Sequence, residues 1–358
     1  MNRETKKTQI SKWEPVVSEF ARTPWISEEM NSIENGETGI QAYRKRVKEF
    51  MSIPSDKEKV IVVYGPTACW KTGLSLDIWT ELRESGFSPF IISADSRQIY
   101  KWMDIGTGKV KKEEMRWIPH LMLDIIEPTE KFSVVDFRER VENSELWKRW
   151  KSGEEKLIPI ICGWTGLYVD SIIFERSYPT IPADWELRRE LEEFRIQNGN
   201  EALWKKLYEI DPSYAKTLHP NDRHYIIRGI EVYTKSGRSK MEIQDTPTLK
   251  YSTLFLTPYD SNREKLYEKI NTRIEEMFEI WLVKEVEYIL DNLSRELLHG
   301  CNKTHCPWLA TIGYAEVVEY IEWKISLDEC KSLVQQHNRN YAKRQITWNK
   351  KYGSSNNC

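Results

Sequence analysis

The residues Gly65-Pro66-Thr67-Ala68-Cys69-Trp70-Lys71-Thr72 follow an apolar run, Val60 to Tyr64, and lead into a helical pattern. The spacing is that of a phosphate loop, G-x-x-x-x-G-K-T, with tryptophan where the second glycine belongs. In such a loop the backbone N–H groups and the N-terminus of the following helix hold a di- or triphosphate. Lys71 supplies a point charge and Thr72 a hydroxyl for Mg²⁺. Trp70 conflicts with this chemistry. Phosphate must approach the backbone closely, glycine permits that because it lacks a Cβ, and an indole is expected to obstruct the seat.

Further along, Asp95 ends a second apolar run, a position where an Asp is most often a turn cap. The C-terminal stretch carries Arg339, Lys343, Arg344, Lys350 and Lys351 with no acid among them. That run suits phosphate contacts, against the commoner reading of a solvated face. His299, Cys301, His305 and Cys306 cluster, but at the spacing of no standard zinc finger, so an incidental loop is preferred to a metal site.

These residues need elements to position them. Lys59–Tyr64, Phe90–Asp95, His120–Ile126, Leu157–Gly163 and Tyr251–Pro258 read as strands separated by helical patterns. Strands alternating with helices predict an α/β fold, a parallel sheet flanked by helices. Residues 58–180 and 250–358 are expected to form a catalytic core with C-terminal helices. Residues 181–249 turn polar and helical and read as an inserted helical domain. Residues 1–57 read as an N-terminal extension without a motif.

Composition bounds the partners. The net charge is −2 and the isoelectric point about 6.4, so any nucleic-acid surface must be local. No apolar run approaches the roughly 20 residues that span a bilayer. The charged first 20 residues lack an apolar leader, and six scattered cysteines suit a reducing compartment. The expectation is a cytoplasmic monomer with no membrane partner.

The order of motifs resembles the tRNA dimethylallyltransferases (tRNA isopentenyltransferases) of bacterial type. It is carried by Ser93-Ala94-Asp95-Ser96-Arg97-Gln98-Ile99-Tyr100, Met103-Asp104-Ile105-Gly106-Thr107, Gly163-Trp164-Thr165-Gly166-Leu167-Tyr168, His219-Pro220-Asn221-Asp222-Arg223, Arg228-Gly229-Ile230-Glu231-Val232, Ile312-Gly313-Tyr314 and Ala342-Lys343-Arg344-Gln345 with Thr347-Trp348. The similarity runs from about 58 to 351.

The resemblance implies a P-loop NTPase-like core that binds dimethylallyl diphosphate and alkylates N6 of the adenosine 3′ to the anticodon, in tRNAs reading codons that begin with U. It makes Asp95 the general base, with Thr165 and Arg273 catalytic beside it. Gly65, Pro66, Thr67, Ala68, Cys69, Trp70, Lys71 and Thr72 become diphosphate-binding, with Mg²⁺ held by Thr72 through the diphosphate. The anticodon stem-loop is implied to meet Asp95, Ser96, Arg97, Gln98, Thr165, Arg188, His224, Arg228, Lys343 and Arg344. His224-Tyr225 departs from the usual Gln-Arg, and Ala315 from the usual Lys or Arg. Rival readings are an adenylate isopentenyltransferase, a P-loop kinase and a non-catalytic RNA-binding protein.

Five tryptophans, Trp70, Trp102, Trp164, Trp281 and Trp323, stand where the resembling family has glycine. Placing the largest side chain at five tight sites is hard to reconcile with a marginally stable fold. The chain also has 15 Trp and only 16 Gly in 358 residues, a glycine share below the usual ~7%. Either UGA codons for glycine have been read as tryptophan, or the protein is a catalytically impaired relative that retains the fold.

Overall fold

All five apolar runs are strands of one parallel sheet in the computed structural model, which describes residues 33–34, 37–153, 156–175, 181, 183–243, 248–293 and 306–353. The elements that position the site are, in chain order, α1 (Gly39–Ser52), β1 (Lys59–Tyr64), α2 (Lys71–Glu84), β2 (Ser88–Ala94), β3 (His120–Leu121), α3 (Val134–Asn143), α4 (Glu145–Ser152), β4 (Leu157–Gly163) and α5 (Gly166–Ile173). Then come the inserted helices α6 (Trp185–Asn198), α7 (Asn200–Ile210), α8 (Pro212–Ala215) and α9 (Arg223–Ser236), strand β5 (Ser252–Leu256), and helices α10 (Arg263–Glu279), α11 (Leu282–Asn292), α12 (Tyr314–Ile321) and α13 (Leu327–Gly353). The sheet order is β3-β2-β4-β1-β5, every pair parallel.

Helices cover both faces of the sheet, which is why its strands are continuous Val/Ile runs. Val60, Val62, Phe90 and Ile92 face Phe137, Trp147 and Tyr168 of α3, α4 and α5. Ile61, Val63, Ile91 and Ile160 face Leu74 and Ile78 of α2 and Val47 of α1. Helix α1 therefore belongs to the core. The Tyr43 hydroxyl also donates to the Thr257 carbonyl at 2.6 Å, so a domain boundary at residue 58 cuts through a packed unit.

The strand expected over 120–126 is shorter. Met122 and Asp124 adopt left-handed φ of 68° and 54°, and the Asp124 carboxylate is drawn to the buried Lys109 ammonium at 2.5 Å. The chain turns there and rejoins β-geometry only at Ile126, which bridges Tyr100.

The insertion has its own core of Leu191, Leu203, Leu207, Tyr214, Ile226 and Ile230. An antiparallel pair, Phe174–Glu175 with Thr248–Leu249, closes its neck. At its centre Glu231 is fully buried. It accepts two bonds from Arg188, at 2.8 and 2.7 Å, one from the Asp184 N–H at 2.6 Å, and another from Arg228.

Burial pushes the Glu231 carboxyl up, but these donors outweigh it and hold it below the ordinary carboxylate range. A depressed carboxyl contributes stability above its unfolded pKa, about 4.3, and that stability is lost as pH falls through the lower folded value. Glu231→Gln is expected to cost about 2–3 kcal/mol at neutral pH, reduced because both arginines are partly exposed. It should also flatten the acid dependence below about pH 4. Urea unfolding at neutral and acid pH measures both.

Candidate active site

Strand β1 delivers the chain into the phosphate loop at the carboxyl ends of the strands. Gly65 takes φ 147°, and a Cβ there would lie 2.7 Å from the Cys69 sulfur. Only glycine fits that turn. Lys71 folds back over the loop, its ammonium donating to the Pro66 carbonyl at 2.7 Å. Trp70 is the N-cap of α2, in the left-handed region at φ 65° and ψ 28°. Its indole lies over the first turn of α2, where a Cβ on Gly73 would be 2.0 Å from the ring. The ring is not a wall of the small cleft between the loop and α10, which is lined by Thr67, Ala68, Gly106, Thr107, Arg273 and Asn338 among others. The conflict at position 70 is therefore mainly one of backbone conformation.

The adjacent strand ends supply the polar groups. Strands β2 and β4 pair as far as Ala94 with Gly163, and a Cβ on Gly163 would sit 2.4 Å from the Ala94 carbonyl carbon. Beyond that contact the chains diverge into Asp95-Ser96 and Trp164-Thr165. The Thr165 hydroxyl accepts the Ser96 N–H at 2.9 Å. One Asp95 carboxylate oxygen accepts the Arg97 N–H at 2.8 Å, the Asx geometry of a turn cap, and the other accepts the Trp164 indole N–H at 3.0 Å. Both oxygens of the candidate base are thus engaged. The Trp164 ring also packs edge-on against Tyr341 of α13, 4.3 Å between centroids.

Arg273 enters from α10. Its guanidinium lies against Gly108, where a Cβ would meet it at 1.4 Å. Burial pushes its pKa down, and the Asp95 carboxylate acts in the opposite direction. Asp95, Thr165, Arg273 and the loop thus belong to one region. Arg97 donates to the Pro307 carbonyl at 3.1 Å, and Gln98 to the Gly108 carbonyl at 3.3 Å. Both brace surrounding loops.

The remaining residues expected at RNA lie on other elements. Arg188 and Arg228 are engaged inside the insertion on Glu231, so their first role is structural. His224 is exposed on α9. Lys343 and Arg344 are exposed on α13, the Arg344 guanidinium over the Tyr341 ring at 5.4 Å. For Mg²⁺, no group of three or more His, Cys, Asp or Glu is assembled among the described residues. His299, Cys301 and His305 lie outside the described residues. Cys69, Cys162 and Cys330 are free, whereas Cys306 is disulfide-bonded, a departure from the all-thiol expectation.

Two further residues matter that the motifs did not single out for the site. Glu285 is buried on α11 and accepts the N–H groups of Asp104, Ile105 and Gly106 at 2.8, 2.7 and 3.1 Å and the Tyr314 hydroxyl at 2.6 Å. Burial pushes its carboxyl up against these donors. It fixes the segment that carries Gly108, the seat of Arg273. Gln345 on α13 is 1% exposed, and its Oε1 accepts the Thr67 N–H of the phosphate loop at 2.9 Å. Both were detectable as polar residues on apolar helix faces: Glu285 with Leu282, Val286 and Ile289, and Gln345 with Ala342 and Val334.

The sheet and loop define a P-loop protein. Residues 98–352 match the model of the IPP transferase family. A tRNA dimethylallyltransferase of Caldanaerobacter subterraneus is 38% identical over 300 residues, 82% of this chain and 89% of that protein. One of Bacillus anthracis is 39% identical over 297 residues, 82% and 88% of the two chains. Among solved structures, the tRNA isopentenylpyrophosphate transferase of Bacillus halodurans is similar at TM-score 0.54 and 35% identity, covering 82% of this chain and 86% of that one. A eukaryotic dimethylallyltransferase acting on tRNA is similar at TM-score 0.64 and 26% identity, covering 82% and 70%. The chain belongs to the IPP transferase family.

Glu285→Ala leaves four donors, the buried Tyr314 hydroxyl among them, without their acceptor. We expect a loss of about 3 kcal/mol in stability, and faster amide exchange at Asp104, Ile105 and Gly106 than elsewhere in the core. Hydrogen exchange read by mass spectrometry checks this; protection unchanged at those three amides would refute it.

Proposed function

We propose that this protein transfers the dimethylallyl group of dimethylallyl diphosphate to N6 of the adenosine 3′-adjacent to the anticodon, in tRNAs reading codons that begin with U. The observation that carries the reading is the convergence of Asp95, Thr165 and Arg273 beside the phosphate loop, on a chain whose relatives are tRNA dimethylallyltransferases. The adenine amine is a weak nucleophile because its lone pair is delocalised into the ring. As N6 bonds to the allylic carbon, the carbon–oxygen bond to diphosphate breaks. Asp95 takes the proton released from N6. The diphosphate leaves into the loop N–H groups, Lys71 and Arg273, placed where negative charge accumulates. Mg²⁺ bound with the diphosphate at Thr72 would neutralise part of that charge.

The adenosine has to leave its stack to reach Asp95. Ser96, Arg97 and Gln98 flank it on the loop after β2, and the exposed Lys343 and Arg344 on α13 supply charge for the RNA backbone. We place the reaction in the cytoplasm and on a monomer. Among the described residues no helix is long and apolar enough to cross a membrane.

A second reading is favoured by one contact. With the Trp164 indole on Asp95 at 3.0 Å, the carboxylate is already hydrogen-bonded where it must accept a proton. The chain with tryptophan at 70 and 164 is then a tRNA-binding protein with impaired transfer.

The test supplies labelled dimethylallyl diphosphate with tRNA or AMP as acceptor, using the chain as written and the Trp70→Gly/Trp164→Gly variant. Label in tRNA alone supports the proposal; label in AMP makes the protein an adenylate isopentenyltransferase; tRNA binding with no label in either chain leaves only the binding role. In the active form, Asp95→Asn is expected to lower kcat about 10²–10⁴-fold with tRNA affinity retained.

A further inference from the structure

Two groups of tryptophan stand apart among the described residues, with Trp164, Trp185 and Trp348 in neither. Trp79, Trp147, Trp150, Trp204 and Trp308 are at least partly buried; Trp147, Trp150 and Trp308 are core residues, and the Trp79 and Trp204 indoles donate to backbone carbonyls. Trp70, Trp102, Trp117, Trp281 and Trp323 share a different property, a left-handed backbone, with φ of 65°, 64°, 63°, 95° and 60°. They make up five of the ten described non-glycine residues with positive φ, although tryptophan is only 15 of 358 residues. For a bulky L-residue this region is an outlier, because the Cβ crowds the backbone; glycine enters it freely.

Packing does not explain the exchange at the exposed positions. Trp117 and Trp323 are 101% and 91% exposed and Trp281 is 57% exposed, so three of the largest apolar side chains sit in a strained conformation with little or only partial burial, whereas Trp70 and Trp102 pack on core clusters. The local geometry is that of glycine. At the end of α12 the Trp323 N–H bonds to the Tyr320 carbonyl and the Lys324 N–H to the Glu319 carbonyl, at 3.0 and 2.9 Å. This is the Schellman arrangement, whose left-handed residue is usually glycine, and it falls on Trp323. Trp70 and Trp281 occupy the residue before a helix, in the same left-handed region.

We infer that residues 70, 102, 117, 281 and 323 are glycine in the protein its own cell makes, each encoded by UGA. One genetic code reads that codon as tryptophan and another as glycine. The backbone argument is independent of any reaction and adds Trp117, which no motif contains. Trp164 is not left-handed. Its inclusion rests on the proposed role of Asp95, from which a glycine would withdraw the indole N–H.

The gene and the native protein test this directly. The codons for 70, 102, 117, 281 and 323 are expected to be UGA, and those for Trp79, Trp147, Trp150, Trp204 and Trp308 UGG. Peptides of the protein isolated from its source should carry the glycine mass at the first set and the tryptophan mass at the second. UGG codons or tryptophan masses at the left-handed positions overturn the inference. Recombinant Trp117→Gly and Trp323→Gly, both at exposed positions, should raise Tm, whereas Trp308→Gly should lower it; a fall in Tm for the exposed pair would remove the physical basis. None of these readouts depends on prenyl transfer.

A separate observation concerns Gln345. The Thr67 N–H requires an acceptor, which fixes Oε1 toward the loop and leaves Nε2 as the free end of the amide. Nε2 is buried and lacks a hydrogen-bond partner among the described residues. An unmet buried donor is costly and marks a place for an acceptor. On the proposed reading of the loop, we infer that Gln345 Nε2 donates to an oxygen of the bound diphosphate.

Inorganic diphosphate titrated into the Trp70→Gly/Trp164→Gly chain, with and without Gln345→Glu, tests it. The carboxylate still accepts from Thr67 but opposes the anion. Diphosphate affinity should fall at least about tenfold. KM for dimethylallyl diphosphate should rise while tRNA affinity holds. Equal diphosphate affinity, or no binding by the parent, overturns the assignment. Diphosphate binding that depends on Gln345 without transfer to tRNA would instead remove the proposed function and leave the contact.

Discussion

Everything at the site depends on how closely β2 and β4 run together at their carboxyl ends. The two strands pair through Ala94 and Gly163, and only a residue without Cβ tolerates that approach. One residue later the chains part, leaving Asp95 and Thr165 on facing turns that the Ser96 N–H to Thr165 hydroxyl bond holds together. The phosphate loop lies beside them because β1 is the next strand, paired with β4 up to Tyr64 and Gly163. A parallel sheet places the carboxyl ends of its strands on one edge, and an open α/β sheet gathers its polar groups there. The acid, the hydroxyl and the anion seat thus come together from three strand ends within the first half of the chain.

The second half closes the site from outside. Helix α10 brings Arg273 to Gly108, and Glu285 on α11 fixes the segment bearing that glycine through three backbone N–H groups. Helix α13 then crosses the loop. Gln345 bonds to Thr67, Tyr341 meets Trp164, and Trp348 packs where a Cβ on Gly166 would lie 1.8 Å from its indole nitrogen. The helix whose exposed face carries Lys343 and Arg344 therefore has its buried face on both the anion loop and the turn of the base. One helix thus carries the exposed Lys343 and Arg344 and also touches the phosphate loop and the Trp164 turn.

Much of this was legible in the sequence. The strand runs Lys59–Tyr64 and Leu157–Gly163 are found with the same ends, because strands buried on both faces are uniformly apolar and end abruptly at glycine or polar residues. The 120–126 run misled because its break comes from a distant charge, Lys109 pulling on Asp124, which periodicity does not register. Helix α1 falls in the stretch read as an extension without a motif, since Val47 reveals its burial only against Ile61 and Leu74. Arg188 and Arg228 look like RNA contacts from sequence, and only the fold shows Glu231 buried between them. Asp95 illustrates the opposite case. The bland expectation of a turn cap is met by its bond to the Arg97 N–H, and the same residue lies beside Thr165 at the candidate site, so a cap and a place at the site are compatible.

The Trp164 contact sets the state of that carboxylate. An oxygen that already accepts an indole N–H at 3.0 Å has one lone pair committed and is held in place by the Tyr341 ring behind the donor. That oxygen keeps a second lone pair, so in the proposed reaction the indole competes with an approaching amine for position at the carboxylate rather than closing it. Ala94 and Gly163 hold the strand ends immediately behind the turn. Replacing the indole by a hydrogen atom leaves the strand pairing as it is and removes both the competing donor and the ring contact with Tyr341 of α13. On the proposed function, the residue at 164 therefore decides whether a second donor occupies the Asp95 carboxylate.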